Sequence, residues 1–161
     1  YRDFMRLYPR GINGLTPEDL APGKTRAEYL GNRMPVQKIS WRAAEAYCAS
    51  RGWKLPSARQ YTLAITEAGG WDAVLPEAEA RNSLAAVPAD AGLSGLLTNA
   101  PEYTSDTDTK AVGQYAVGNP RPLSSEVSSI TYALPASRSE KRPYIGFRPV
   151  MDFPKHLITE H

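Results

Sequence analysis

The sequence predicts one α+β domain in which two helices pack on one side of a twisted antiparallel sheet with long loops. Two capped helical segments lie in the first half of the chain, and short segments of alternating apolar residues lie in the second half. Fourteen prolines and twelve glycines favour short elements over a helical bundle. We expect residues 1–153 to form this domain and residues 154–161 to form a tail.

A first short helix is predicted at the start of the chain. Tyr1, Phe4, Leu7 and Tyr8 recur at helical spacing, and Pro9 ends the pattern. The following stretch, residues 11–25, is rich in turn-forming residues and is predicted to be a loop.

Two longer helices are predicted by their capping residues. Ser40 is a favoured N-cap for a helix over residues 41–51, and Gly52 suits the position after its end. Ser57 can cap a second helix, whose apolar stripe begins at Tyr61 and which Gly69 and Gly70 close.

Extended structure is predicted at residues 36–39, 113–118, 128–134 and 144–153. The last two segments alternate apolar and polar residues, which is typical of half-buried strands. The alternation of the final segment places four side chains on one face: Ile145, Phe147, Met151 and Phe153.

Composition excludes several classes of function. The net charge of +2 is small and the basic residues are interspersed with acids, which argues against nucleic-acid or anionic-membrane binding. No apolar run approaches the roughly 18 residues that a transmembrane helix needs. Cys48 is the one cysteine, so an intrachain disulfide and a metal site with several cysteines are excluded.

Three stretches carry a family resemblance when they are taken in order. They are "PVQKISWRAAEAYCASRGWKLPSARQYTLA" (35–64), "GLSGLLTNAPEYTSD" (92–106) and "IGFRPV" (145–150), and "YRDFMRLY" (1–8) precedes them. Together they resemble the formylglycine-generating enzyme (sulfatase-modifying factor) family. The resemblance spans residues 1–150 and implies a C-type-lectin-like fold.

The groups that perform the family's chemistry do not have counterparts here. Its oxidising members hold copper between two cysteines late in the domain, whereas residues 107–150 contain no cysteine. Related iron enzymes use three histidines, but this chain has only His156 and His161, both in the tail. Cys48 matches a packed helix cysteine of the family. The resemblance therefore implies a non-catalytic member, without a cofactor.

A structural calcium ion is the one metal that the resemblance suggests. Asn99 and Glu102 match residues of the family's calcium segment, but Gly95 and Thr98 replace two other positions of that motif. Calcium takes six to eight oxygen ligands, so the loss of a side-chain ligand weakens the site. Without calcium, a buried Glu102 needs a hydrogen-bond or arginine partner.

The resulting functional hypothesis is a binding or accessory module. Folds of this type present a loop-rich face on a rigid base, here residues 104–143. The candidate contact residues are Tyr115, Arg121, Tyr132 and Arg138, because tyrosine and arginine are favoured in protein contacts. The resemblance implies a protein partner in a bacterial cell-envelope complex, with a periplasmic or otherwise extracytoplasmic location.

Two alternatives remain open. The chain could belong to an enzyme whose active groups come from outside this segment, or it could be a lectin-like domain that binds a glycan or a receptor. The resemblance also implies that strands which precede the first helix in the family lie before Tyr1, or that a partner completes the sheet edge beside residues 145–150.

Overall fold

The structure, a computed structural model, describes residues 1–23, 36–67, 102–107, 114–117, 131–134, 138–142 and 145–152. Within these residues the helices are α1 (Arg2–Leu7), α2 (Pro17–Leu20), α3 (Trp41–Ser50) and α4 (Ala58–Glu67). The strands are β1 (Glu102–Thr107), β2 (Gln114–Val117), β3 (Thr131–Leu134) and β4 (Gly146–Phe147). The predicted mixture of helices followed by strands is confirmed.

The strands form a sheet with the order β3-β2-β1-β4. β2 pairs antiparallel with both β1 and β3, whereas β4 pairs parallel with β1. The prediction of a purely antiparallel sheet is therefore wrong at β4. A parallel neighbour requires a crossover connection, and the long stretch of chain between β1 and β4 supplies it.

The first helix confirms the predicted apolar stripe at Phe4, Tyr1 and Tyr8, but the prediction is wrong at Leu7, whose side chain is 67% exposed and does not pack against the core. Phe4 is buried, and the side-chain hydroxyl of Tyr1 donates a hydrogen bond of 2.8 Å to the carbonyl oxygen of Leu20. Leu20 belongs to α2, so the prediction of a loop over residues 11–25 is wrong there. The signal for α2 was present, because Thr16 and Asp19 form a capping box around a proline at the first helical turn.

The two longer helices begin where their capping residues predict. The Ser40 hydroxyl accepts a hydrogen bond of 3.2 Å from the amide of Ala43. Gly52 follows α3 with a φ of 69°, a left-handed conformation that glycine adopts without steric cost. The Ser57 hydroxyl accepts from the amide of Gln60, whose side chain accepts from the amide of Ser57, so α4 begins with a second reciprocal cap.

The predicted extended segment at residues 36–39 is wrong, because tertiary contacts override the local preference. Lys38 has a φ of 53°, and its carbonyl oxygen accepts a hydrogen bond of 2.7 Å from the amide of Gly23. Gly146 lies directly beside this segment. A Cβ at Gly146 would come within 3.0 Å of the carbonyl oxygen of Val36, so this position of β4 favours glycine.

The core lies between α1, α3 and β1. Its buried members are Phe4, Leu15, Leu20, Ile39, Trp41, Ala43, Ala44, Ala46, Cys48, Leu55, Tyr103 and Ile145. Two hydrogen bonds join the α3 region to β1: Trp41 Nε1 donates to the carbonyl oxygen of Thr104 at 2.7 Å, and the Tyr103 hydroxyl donates to that of Ile39 at 3.0 Å. The helix start is thereby fixed against the sheet.

The end of the described chain departs from the predicted alternation. Ile145 is buried and Phe147 packs against the core, but β4 ends at Phe147 and Met151 is 71% exposed. Phe153 lies outside the described residues. The chain instead turns to pair Val150 with Lys54 in an antiparallel bridge, with both N···O distances at 2.8 Å.

The longest helices in the described segments have ten residues. Among those segments, no helix combines the length and the apolar character needed to cross a bilayer.

Candidate functional site

The strongest polar cluster joins α4, β1 and the residue that follows β4. The Tyr61 hydroxyl donates a short hydrogen bond to Glu102 Oε2. Arg148 donates to both carboxylate oxygens, from Nε to Oε2 and from Nη2 to Oε1, each at 3.2 Å. Tyr61 is 2% exposed and Glu102 is 8% exposed, so the pair lies in the interior. The prediction that a buried Glu102 needs an arginine or hydrogen-bond partner is confirmed.

Burial governs the ionisation of this cluster. Burial raises the pKa of the Glu102 carboxyl above its ordinary value. The charge of Arg148 and the hydrogen bonds from Arg148 and Tyr61 lower this pKa, but burial has the larger influence. It also raises the pKa of the Tyr61 hydroxyl, with the Glu102 carboxylate acting in the same direction. Burial disfavours the charged form of Arg148, but the Glu102 carboxylate outweighs it and raises the pKa of the guanidinium. The hydroxyl of Tyr61 and the guanidinium of Arg148 thus supply hydrogen-bond donors to the buried Glu102 carboxylate.

A further carboxylate fixes the start of α4 against the sheet. Asp106 Oδ2 accepts a hydrogen bond of 2.6 Å from the amide of Ala58, the first residue of the helix. The amide of Ser105 donates to the carbonyl oxygen of Pro56 at 2.9 Å. A negative charge at this end of a helix is favourable, because the free amides and the helix dipole attract it. Asp106 thus positions α4 beside the buried cluster.

The candidate contact residues of the sequence analysis do not all lie in one place. Tyr115 is in β2 and pairs with Ala133, while Tyr132 is in β3 and pairs with Ala116. This register puts positions 115 and 132 on opposite faces of the sheet, because positions alternate along a strand. Arg121 lies outside the described residues.

Arg138, the remaining contact candidate, is held against α3. Its guanidinium carbon lies 5.0 Å from the centroid of the Trp41 ring, a cation–π geometry. Its carbonyl oxygen accepts a hydrogen bond of 3.2 Å from the amide of Arg42, in the first turn of α3. Nearby, Lys141 Nζ donates to the carbonyl oxygen of Glu18. The segment that contains Arg138 is therefore anchored at two points.

The calcium hypothesis rests on Asn99 and Glu102. Asn99 lies outside the described residues, and both carboxylate oxygens of Glu102 accept hydrogen bonds from Arg148. A cation at Glu102 would therefore have to compete with a bound guanidinium. Within the part of the chain that the structure describes, no cluster of three or more His, Cys, Asp or Glu residues is arranged to hold a metal ion. The calcium site stays a prediction.

Sequence reasoning did not identify Tyr61 and Arg148 as partners of Glu102. Arg148 belongs to the Gly-Phe-Arg motif, and Tyr61 starts the apolar stripe of α4. The contact of Arg148 with Glu102 depends on the parallel pairing of β4 with β1, in which Glu102 is paired with Gly146. A local pattern does not contain that pairing.

Aromatic rings form a second cluster, at the surface where α1, α3 and β4 meet. Five of its side chains are half-buried: Tyr1, Tyr8, Tyr47, Trp53 and Phe147. The Tyr47 centroid lies 5.5 Å from that of Tyr1, 5.2 Å from that of Phe147 and 6.3 Å from that of Trp53. These are the separations of interacting aromatic pairs. We call these five rings together with Arg51 the aromatic–arginine surface.

The alkylation rate of Cys48 tests whether its thiol is buried in the core. Its side chain is 1% exposed, and burial raises the pKa of the thiol to about 12. Because the thiolate is the nucleophile, we expect iodoacetamide to alkylate native protein at pH 8 about a thousandfold more slowly than protein unfolded in urea. Mass spectrometry would follow the reaction, since Cys48 is the one cysteine. Equal rates in the two states would contradict this placement of the thiol.

No protein-family model matches the chain, and no curated protein matches it. The resemblance to the formylglycine-generating enzyme family therefore rests on the motifs of the sequence and stays a prediction.

Proposed function

We propose that this chain is a non-catalytic binding or accessory module of the formylglycine-generating-enzyme type, with a C-type-lectin-like fold. In this proposal it contacts a protein partner in a complex of the cell envelope. One observation carries most of the argument: Ser40, Trp41 and Glu102, which belong to the resembling motifs, are engaged in internal contacts of the scaffold.

Three contacts support this interpretation. Ser40 caps α3, and Trp41 donates its indole hydrogen to a strand carbonyl. Glu102, at the position of the family's calcium-binding glutamate, is neutralised by Arg148. Each group uses its hydrogen-bonding capacity to hold elements together, which suits a rigid base that presents a surface.

Purification of the chain from its own cells tests the proposal. A tagged chain should bring down one companion protein in near-stoichiometric amount, and the pair should migrate together in size-exclusion chromatography. A chain that migrates as a monomer without a stable companion would contradict the proposal. Stoichiometric copper or iron together with oxygen consumption would instead favour an enzyme, and metal analysis of the same sample detects it.

A further inference from the structure

We propose that the aromatic–arginine surface is the docking site and that it takes an acidic segment of the protein partner. This inference rests on the proposed function and names the chemistry of the partner.

The rings of this surface suit protein recognition because they are amphipathic and already ordered. Tyrosine, tryptophan and arginine are the residues that most often dominate binding energy in protein interfaces. Tyr1 contacts Tyr47 and Phe147 in addition to its hydroxyl bond to Leu20, so its ring is held from several sides. A partner that covers such rings immobilises few side chains, which keeps the entropic cost of binding low.

The charge of the neighbouring residues selects an acidic partner. Residues 1–10 contain Arg2, Arg6 and Arg10 but only one acid, Asp3, so this segment alone carries a formal charge of +2. The whole chain also carries +2. By formal charge the remaining residues are balanced, so the excess positive charge lies, along the sequence, in residues 1–10. A locally positive surface attracts acidic segments and speeds their association.

Two acids close in sequence to residues of the surface are already paired. Asp3 lies 3.2 Å from a guanidinium nitrogen of Arg6, and Asp152 forms an ion pair with Lys54. Arg51 lies one helical turn after Tyr47, on the same side of α3, and is exposed. It brings a further positive charge beside the rings, where a carboxylate of the partner could meet it while apolar partner residues cover the aromatic side chains.

Photocrosslinking from two exposed leucines tests this proposal. Leu7, 67% exposed, ends α1 beside Tyr8, whereas Leu63, 53% exposed, lies on α4 outside the surface. Each is replaced in turn by benzoylphenylalanine in the full chain, and the complex is irradiated in the cells of origin. We expect the probe at position 7 to form adducts with the partner, in a peptide where Asp and Glu outnumber Lys and Arg. The probe at position 63 should give a yield of partner adducts that is about tenfold lower.

Charge reversal supplies a matched pair of variants. Arg51→Glu should lower the yield of adducts from position 7 about tenfold, because an attraction becomes a repulsion. Arg59→Glu makes the same change at an exposed residue of α4 and should leave the yield within about twofold. Raising the salt concentration should lower the yield with wild-type Arg51, because exposed charges are screened.

The outcomes separate this inference from the proposed function. A partner that co-purifies but forms adducts only with position 63, or whose adducts do not respond to Arg51→Glu, overturns the docking site and leaves the accessory function in place. Adducts with lipid instead of protein overturn the protein partner at this surface. The absence of any co-purifying protein overturns both proposals.

Discussion

Replacement of Arg148 by methionine should lower the free energy of unfolding by about 3 to 5 kcal/mol, one of the two largest effects that we expect from a single change. The substitution leaves the Glu102 carboxylate buried without the guanidinium that contacts both of its oxygens at 3.2 Å. The hydroxyl of Tyr61 does not compensate for a missing cation. Urea denaturation followed by far-UV circular dichroism would measure the loss.

The loss should depend on pH in a defined direction. Burial already raises the pKa of Glu102 in the folded state, and removing Arg148 removes an influence that lowers it, so the pKa rises further. A carboxyl whose folded pKa exceeds its unfolded pKa favours folding when it is protonated, and this contribution is lost as pH rises through the folded pKa. The Arg148→Met variant should therefore lose more stability at pH 8 than near the ordinary pKa of a glutamate.

A double variant provides the control for this prediction. Glu102→Gln combined with Arg148→Met removes the charge as well as its partner and should recover part of the lost stability. The cycle of single and double variants gives the coupling energy of the pair. A double variant whose loss equals the sum of the two single losses would show that the contact contributes nothing.

The second large effect is expected at Trp41. Trp41→Ala should lower the free energy of unfolding by about 3 to 5 kcal/mol, because it leaves a cavity where a large side chain is only 5% exposed. It also removes the hydrogen bond to the carbonyl oxygen of Thr104 and the ring beneath Arg138. The chemical-denaturation midpoint would measure this effect.

Trp41→Phe separates the packing of the ring from its hydrogen bond. Phenylalanine fills most of the space but has no donor for the Thr104 carbonyl, so we expect a smaller loss of about 1 to 3 kcal/mol. If Trp41→Phe were as damaging as Trp41→Ala, the hydrogen bond rather than the packing would hold α3 against β1. If both variants were as stable as the wild type, the placement of Trp41 in the core would be wrong.

Local chemistry allowed the longer helices to be predicted. Ser40, Gly52 and Ser57 mark their ends by conformation and hydrogen bonding that depend only on near neighbours. The same kind of signal was present at Thr16, where a capping box begins α2. That helix was missed because its four residues carry too little apolar periodicity to stand out among turn-forming neighbours.

Features that depend on distant parts of the chain were not predictable in the same way. The parallel pairing of β4 with β1 brings Arg148 to Glu102, and no local pattern specifies which strands become neighbours. Likewise, Lys38 takes a left-handed conformation in a segment that favours extended structure. The need of Glu102 for a partner was predictable because burial of a carboxylate is costly wherever it occurs, but the identity of the partner depended on the topology.

The bridge between Lys54 and Val150 determines how late in synthesis the fold can be completed. Its neighbouring ion pair joins residues 98 positions apart, and the bonds from Trp41 and Tyr103 to their partners span 63 and 64 positions. On the ribosome, α1 and α3 emerge long before the strands that cover them. Folding through such distant contacts should therefore be slow, and the apolar sides of the early helices stay exposed until the residues up to Val150 have been synthesised.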